Sequence, residues 1–140
     1  VLVKYKIVGA VSNYALLFDE SAGDANEKFA PSFRDLVEKI PGYGSPSEAR
    51  IPMGNTACTL PFRWSSNYAT SAAGAAAIAN LRSTFKGVAI HLQVTVGTGS
   101  GATVLYFPNA VLTASAHDQH GCEVAHQLTF ETSDVTTTAP

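Results

Sequence analysis

The residues best suited to chemistry lie in one stretch near the C-terminal end, YFPNAVLTASAHDQHGCEVAHQLTFETSD, from Tyr106 to Asp134. It holds three of the chain's four histidines and one of its two cysteines. His117, Asp118, His120, Cys122 and His126 are the side chains a zinc site or an acid–base site would use. Zinc wants three or four N, S or O ligands held in place by further hydrogen bonds. His117 and His120 lie three apart, a spacing that converges on a helix. Here the flanking residues alternate as strands do, and Gly121 interrupts them, so ASAHDQHGCE reads as the turn of a hairpin. Two turn histidines and a carboxylate would hold a metal weakly at best. His126 falls on the core side of its strand, in phase with Val124 and Leu128, and reads as a satisfied, partly buried histidine. The stretch is therefore expected to be structural, and neither a catalytic, a cofactor-binding nor a metal residue is assigned.

The other tempting motifs resolve the same way. GTGSG, Gly97 to Gly101, follows a strand as a nucleotide loop would. A phosphate-cradling loop must open a helix, and ATVLYF after it is a strand. No lysine stands nearby to neutralise phosphate, so a hairpin turn is the better reading. No Ser-His-Asp spacing, recognisable carboxylate pair or nucleophile elbow is present. Cys58 and Cys122 would pair only if the fold joined them, and they read as small core residues.

Composition narrows the classes. At 140 residues the chain is expected to be a single domain, 1–140, with room for a real core. It is 46% hydrophobic but only 14% charged, against a usual share of about 25%. Such a surface suits a protein covered by partners. No apolar run of about 18 residues would span a bilayer. No basic stretch followed by an apolar run opens the chain, so no signal peptide is expected, and synthesis in a cytoplasm is. The chain does not open on Met, which implies processing or trimming. The net charge is −2, unevenly spread: every Lys and Arg lies at or before Lys86. From Gly87 onward only Asp118, Glu123, Glu131 and Asp134 carry charge. Nucleic-acid binding needs clustered cations, so a DNA grip by this segment is not expected, whereas avoidance of DNA would fit.

The elements that would position these residues follow from periodicity. LVKYKI alternates Val3, Tyr5 and Ile7 against Leu2, Lys4 and Lys6, a strand that residues up to Phe18 continue. DESAGDANEK reads as a loop. In APSFRDLVEKI, Ser32 would cap a short helix with Phe33, Leu36, Val37 and Ile40 on one stripe. PGYGSPSEARIP, with three prolines, reads as a long exposed excursion from Pro41 to Pro52, of the kind that usually has a job. ACTLPFRWSS puts Leu60, Phe62 and Trp64 on one strand face, and Pro61 suggests an edge or a bulge. TSAAGAAAIANLRSTFK is the clearest helix, capped by Thr70 or Ser71 and stopped at Gly87. Its Ile78, Leu81 and Phe85 side is expected to pack on a sheet. VAIHLQVTV, TVLYFPNAVLTAS and CEVAHQLTFE are long alternating strands, the second bent at Pro108–Asn109.

From about Ile51 to Glu131 this order resembles the major tail tube proteins of long-tailed bacteriophages. The resemblance rests on MGNTACTLPF, ATSAAGAAAIANLRS, KGVAIHLQVTV, the bent YFPNAVLTAS and GCEVAHQLTFETSD. It implies a mainly β fold, a β-sandwich or half-barrel with one flanking α-helix and a long loop carrying a short helix. It implies hexameric rings of this chain, stacked into a tube that conducts DNA without specific binding and that contacts other tail proteins. It implies a place in the virion tail, away from membranes, with no enzymatic activity and no cofactor. Strand edges that would otherwise aggregate would pair with neighbouring subunits. Lumen-facing candidates are Gln93, Thr95, Glu123, Gln127, Thr129 and Glu131. Inter-subunit candidates are Tyr43, Ser45, Glu48, Arg50 and Met53. The alternatives are a tail terminator or completion protein, or a small metal- or ligand-binding α+β protein.

Overall fold

The computed structural model describes residues 1–11, 13–19, 25–26, 29–40, 49–97 and 99–140, and among them are eight strands and one α-helix. They are β1 (Leu2–Ile7), β2 (Ala15–Asp19), β3 (Ala25–Asn26), β4 (Ser32–Ile40), β5 (Ala49–Asn67), α1 (Ser71–Phe85), β6 (Ala89–Val96), β7 (Thr103–His120) and β8 (Glu123–Thr132). The strands form one antiparallel sheet in the order β2-β1-β6-β7-β8-β5-β3, with β4 also pairing with β5. The sheet curls. Phe18 of β2 stacks on Trp64 of β5, ring centroids 4.7 Å apart, although four strands lie between them in the sheet order. This is the half-barrel expected.

Alternation fills the concave side. Val3, Leu60, Phe62, Ile90, Leu92, Val94, Phe107, Leu128 and Phe130 are buried there. Burying each such side chain contributes roughly 1.5–3 kcal/mol. Helix α1 closes the concave side over β7 and β8. Thr70 caps it, its hydroxyl accepting from the Ala73 N–H at 3.1 Å, and Gly87 (φ 69°) ends it in the left-handed conformation that glycine tolerates best. Phe85 is buried edge-on against Tyr5 and Phe130, while Leu81 and Ile78 are half-buried. Small residues let the helix sit close: Gly74 is buried against Val124 and Gln119.

Several expectations are corrected. The segment after Pro31 is strand β4, not a short helix, and Ser32 caps nothing. Phe33, Val37 and Ile40 suit a strand as well as a helix, and the ladder to β5 supplies backbone bonds that a nine-residue helix would lack. Of the expected excursion, Ala49 to Pro52 belong to β5, and residues 41–48 lie outside the described residues. β5 is not an edge: β8 flanks it on one side, β4 and β3 on the other. Pro61 falls between the stretches that β4 and β3 pair, where its missing N–H costs no ladder bond. The β7–β8 turn is also shorter than expected. β7 runs to His120, and only Gly121 and Cys122 form the turn, Gly121 with φ 63° at the first central position as a type II′ hairpin requires.

The bend at Pro108–Asn109 is as expected. Asn109 has φ 54°, the register to β6 slips there, and the Thr132 hydroxyl donates to the Pro108 carbonyl. GTGSG holds a single 3-10 turn, Gly99–Gly101, between β6 and β7. No helix among the described residues is long and apolar enough to cross a membrane.

Candidate functional site

With α1 on the concave side, no helix among the described residues covers the convex side of β1, β6, β7, β8 and β5. The residues opposite in phase to the core line it. Gln93 lies between Lys4 and Tyr106, and its amide donates to the Tyr106 hydroxyl at 3.3 Å. Thr95 lies between Leu2 and Val104. On β8, Glu123, Gln127, Thr129 and Glu131 stand opposite Asn67, Arg63, Pro61 and Thr59 of β5. All six candidates named from the sequence thus share one face, Glu123 and Glu131 exposed and the other four half-buried. The structure corrects one part of that reading: cations do accompany them. Lys4 and Lys6 sit on the same face beside Gln93 and His91, and Arg63 sits beside Gln127. They come from the N-terminal part of the chain, which pairing returns to the base-free strands. The face is therefore polarised, basic at β1 and acidic along β7 and β8 through Asp118, Glu123 and Glu131.

A second feature is a two-stranded ribbon. Among the described residues, β5 N-terminal to Cys58 is paired by β4 alone, because β8 reaches only as far as the Cys58–Thr132 pair. Phe33, Val37, Ile51 and Met53 are exposed on it, Met53 at 54%. Gly54 (φ 74°) stands at a slip in register. Arg50, opposite Lys39, and Met53 are the two inter-subunit candidates the structure describes; Tyr43, Ser45 and Glu48 fall outside the described residues.

The histidines are arranged otherwise than the sequence suggests. His117 is not in a turn. It lies on the concave side of β7, directly opposite His126 of β8. His126 is only 2% exposed, packed near Trp64, with ring centroids 5.1 Å apart. Its Nδ1 lies 2.7 Å from Nδ1 of His117, and its Nε2 lies 3.0 Å from the Tyr68 hydroxyl. Burial, then the Arg82 charge, holds the His117 pKa below its ordinary value. His120, by contrast, ends β7 on the convex side opposite Glu123. No three His, Cys, Asp or Glu side chains that could hold a metal converge among the described residues. Cys58 is buried, its thiol pushed up to about 11 by desolvation and then by Asp134. Cys122, expected in the core, is exposed at the hairpin tip. A cleft of about 450 Å³ opens between α1 and the ends of β2 and β5, lined by Tyr5, Leu16, Trp64, Tyr68, Leu81 and Phe85 among others.

The fold, a curled antiparallel sheet with a helix on its concave side, has likenesses among chains of a prophage baseplate and a GTA tail. The chain is similar over 96% of its length to 89% of a chain of the anti-feeding prophage baseplate, a six-fold symmetrised cryo-EM structure, with a TM-score of 0.57 and 10% identity. It is similar over 99% of its length to 95% of a chain in the tail of an empty GTA particle with C6 symmetry, at a TM-score of 0.55 and 13% identity. At such identities the likeness is one of fold. No protein-family model matches the chain, and no curated protein matches it.

Proposed function

We propose that this chain is a structural subunit of a phage-type tail, a single tail tube-like domain that assembles into stacked rings around a conduit for DNA. The observation that carries the reading is the near-complete coverage, on both sides, of likeness to chains from two six-fold tail assemblies. The ribbon supports it. A two-stranded ribbon exposing Phe33, Val37, Ile51 and Met53 is marginal on its own and suits burial against a neighbouring copy. In this reading Arg50 and Met53, with Tyr43, Ser45 and Glu48, meet an adjacent subunit or ring. The convex face carrying Gln93, Thr95, Glu123, Gln127, Thr129 and Glu131 lines the lumen. The protein then works by assembly, without catalysis or cofactor, in a virion tail built in a bacterial cytoplasm.

The baseplate match favours a second reading, a tail part that forms a ring but does not polymerise, as a terminator or completion protein would. Negative-stain microscopy of the purified chain across a concentration series separates the two. Tubes of stacked rings support the first reading, and single rings the second. A monodisperse monomer at every concentration counts against both.

A further inference from the structure

Three polar side chains line up beneath α1. Tyr68 Oη, His126 and His117 are joined by contacts of 3.0 Å and 2.7 Å, and the line ends at His117 Nε2, which is buried without a hydrogen-bond partner. The two Nδ1 atoms face each other, so a single proton lies between them. If His117 Nδ1 accepts it, His117 Nε2 must carry an N–H with no acceptor. If His117 Nδ1 donates it, Nε2 is left as a bare lone pair. A buried orphan N–H is the rarer and costlier arrangement, which selects the second tautomer.

A further proton would find its open site at His117 Nε2, where burial and then the Arg82 charge disfavour the cation. The one charged residue of α1 is Arg82, whose guanidinium donates to Ser115 Oγ at 3.4 Å, two residues along β7 from His117. From β5 the pair meets Trp64, and from the link between β5 and α1 it meets Tyr68. Asp118, His120 and Glu123 point to the convex side, as does Arg63 of β5. Among the described residues, then, an imidazolium at 117 would face a guanidinium and no carboxylate.

We propose that the His117–His126 pair is an acid-sensitive latch, which holds α1 on the β7–β8 face while neutral and releases it when His117 is protonated. The latch stands whether or not the chain builds tubes. Release relieves both costs at once, because water reaches Nε2 and Arg82 moves away. The helix would not survive release intact, since an isolated helix of 15 residues is marginal in water. The sign follows from linkage. The latched state binds this proton less readily than the released state. Its stability is therefore complete above the ordinary histidine value of about 6.5 and declines as the pH falls below it.

The test is an acid titration of the full chain followed by far-UV circular dichroism and by emission of Trp64, the sole tryptophan, with light scattering alongside to register any change in assembly. The wild type is expected to lose helical signal, with strand signal retained, at a midpoint below 6.5 and above the carboxylate range. His117→Asn keeps a hydrogen-bonding group near the Nδ1 position but cannot titrate, and should abolish this step. Arg82→Gln removes the exposed repelling charge, lets the latched state tolerate the proton better, and should move the midpoint to lower pH. Identical transitions in the wild type and His117→Asn overturn the latch. So does a wild type without a transition in that window. Should His117→Asn not fold, an unmoved midpoint in Arg82→Gln overturns it alone.

Discussion

At Gly74 the helix comes so close to the sheet that a Cβ would lie 3.0 Å from Val124 Cγ2 and 3.0 Å from Gln119 Nε2. Val124 is fully buried and has no room to give. Gln119 donates to the carbonyls of Ser71 and Gly121, and so ties the helix start to the hairpin turn. Alanine here would gain up to about 1 kcal/mol of helix propensity but disturb both neighbours. Gly74→Ala is expected to lower stability by about 1 kcal/mol net in urea unfolding. Ala75→Gly, one residue on and exposed, should cost about 1 kcal/mol through propensity alone. The cysteines give a second residue-scale contrast. Cys58 is buried with its thiol pushed up to about 11, and Cys122 is exposed at a turn. Thiolate is the reactive form, so an aromatic disulfide reagent should label Cys122 in the native protein and Cys58 only on unfolding. Rapid labelling of both in the native state would mean that the β5 core opens readily.

Among the elements, the ribbon of β4 and β5 carries the sharpest expectation. Ile51 and Met53 are exposed, so changing both to Ser should alter stability by no more than about 0.5 kcal/mol at each site. If the ribbon is an assembly surface, the same change should raise the concentration needed for association at least several-fold, read by sedimentation velocity. Deleting Gly42 to Ala49 should likewise leave the core folded and abolish stacking. Tubes of normal length from either variant would remove the ribbon from the interface. The ribbon also shows where sequence reading stops. β6 and β8 were legible because one side of each is buried and the other is not, which prints a period of two. β4 leaves Phe33 and Val37 exposed and so prints no inside–outside alternation, and Phe33, Leu36, Val37 and Ile40 fit a helical stripe equally well. Only pairing with β5, the next strand along the chain, decides for the strand. His117 was misplaced for a related reason. Its strand runs on to a turn of two residues, and turn length sets which side chains meet across a hairpin. The signal was present in HGCE: a two-residue turn at Gly121 and Cys122 puts His117 opposite His126.

At the scale of the whole molecule, charge is arranged by folding rather than by chain order. The cation-free strands β7 and β8 acquire Arg63 on one side, while β6 separates them from Lys4 and Lys6. What remains acidic on the convex face is a strip through Asp118, Glu123 and Glu131. If that face lines a lumen, the strip repeats in every subunit and keeps phosphates from the wall. It offers no counterion release to favour adhesion, and like charges across a narrow water-filled channel repel. Changing Glu123 and Glu131 to Lys adds two positive charges at each site and takes the chain from −2 to +2. Both side chains are exposed, so the fold should tolerate the change. Tubes should still assemble, while DNA should now adhere and pass more slowly, an effect that weakens as salt rises. A phage carrying both substitutions would be scored for tail length by microscopy and for genome delivery by infectivity. Normal tails with unimpaired delivery would exclude Glu123 and Glu131 from the lumen. Loss of assembly would place them at a subunit interface, where the acidic strip would be facing the basic end of a neighbouring convex face at Lys4 and Lys6. Restoring assembly by changing those two lysines to Glu would then identify the pairing.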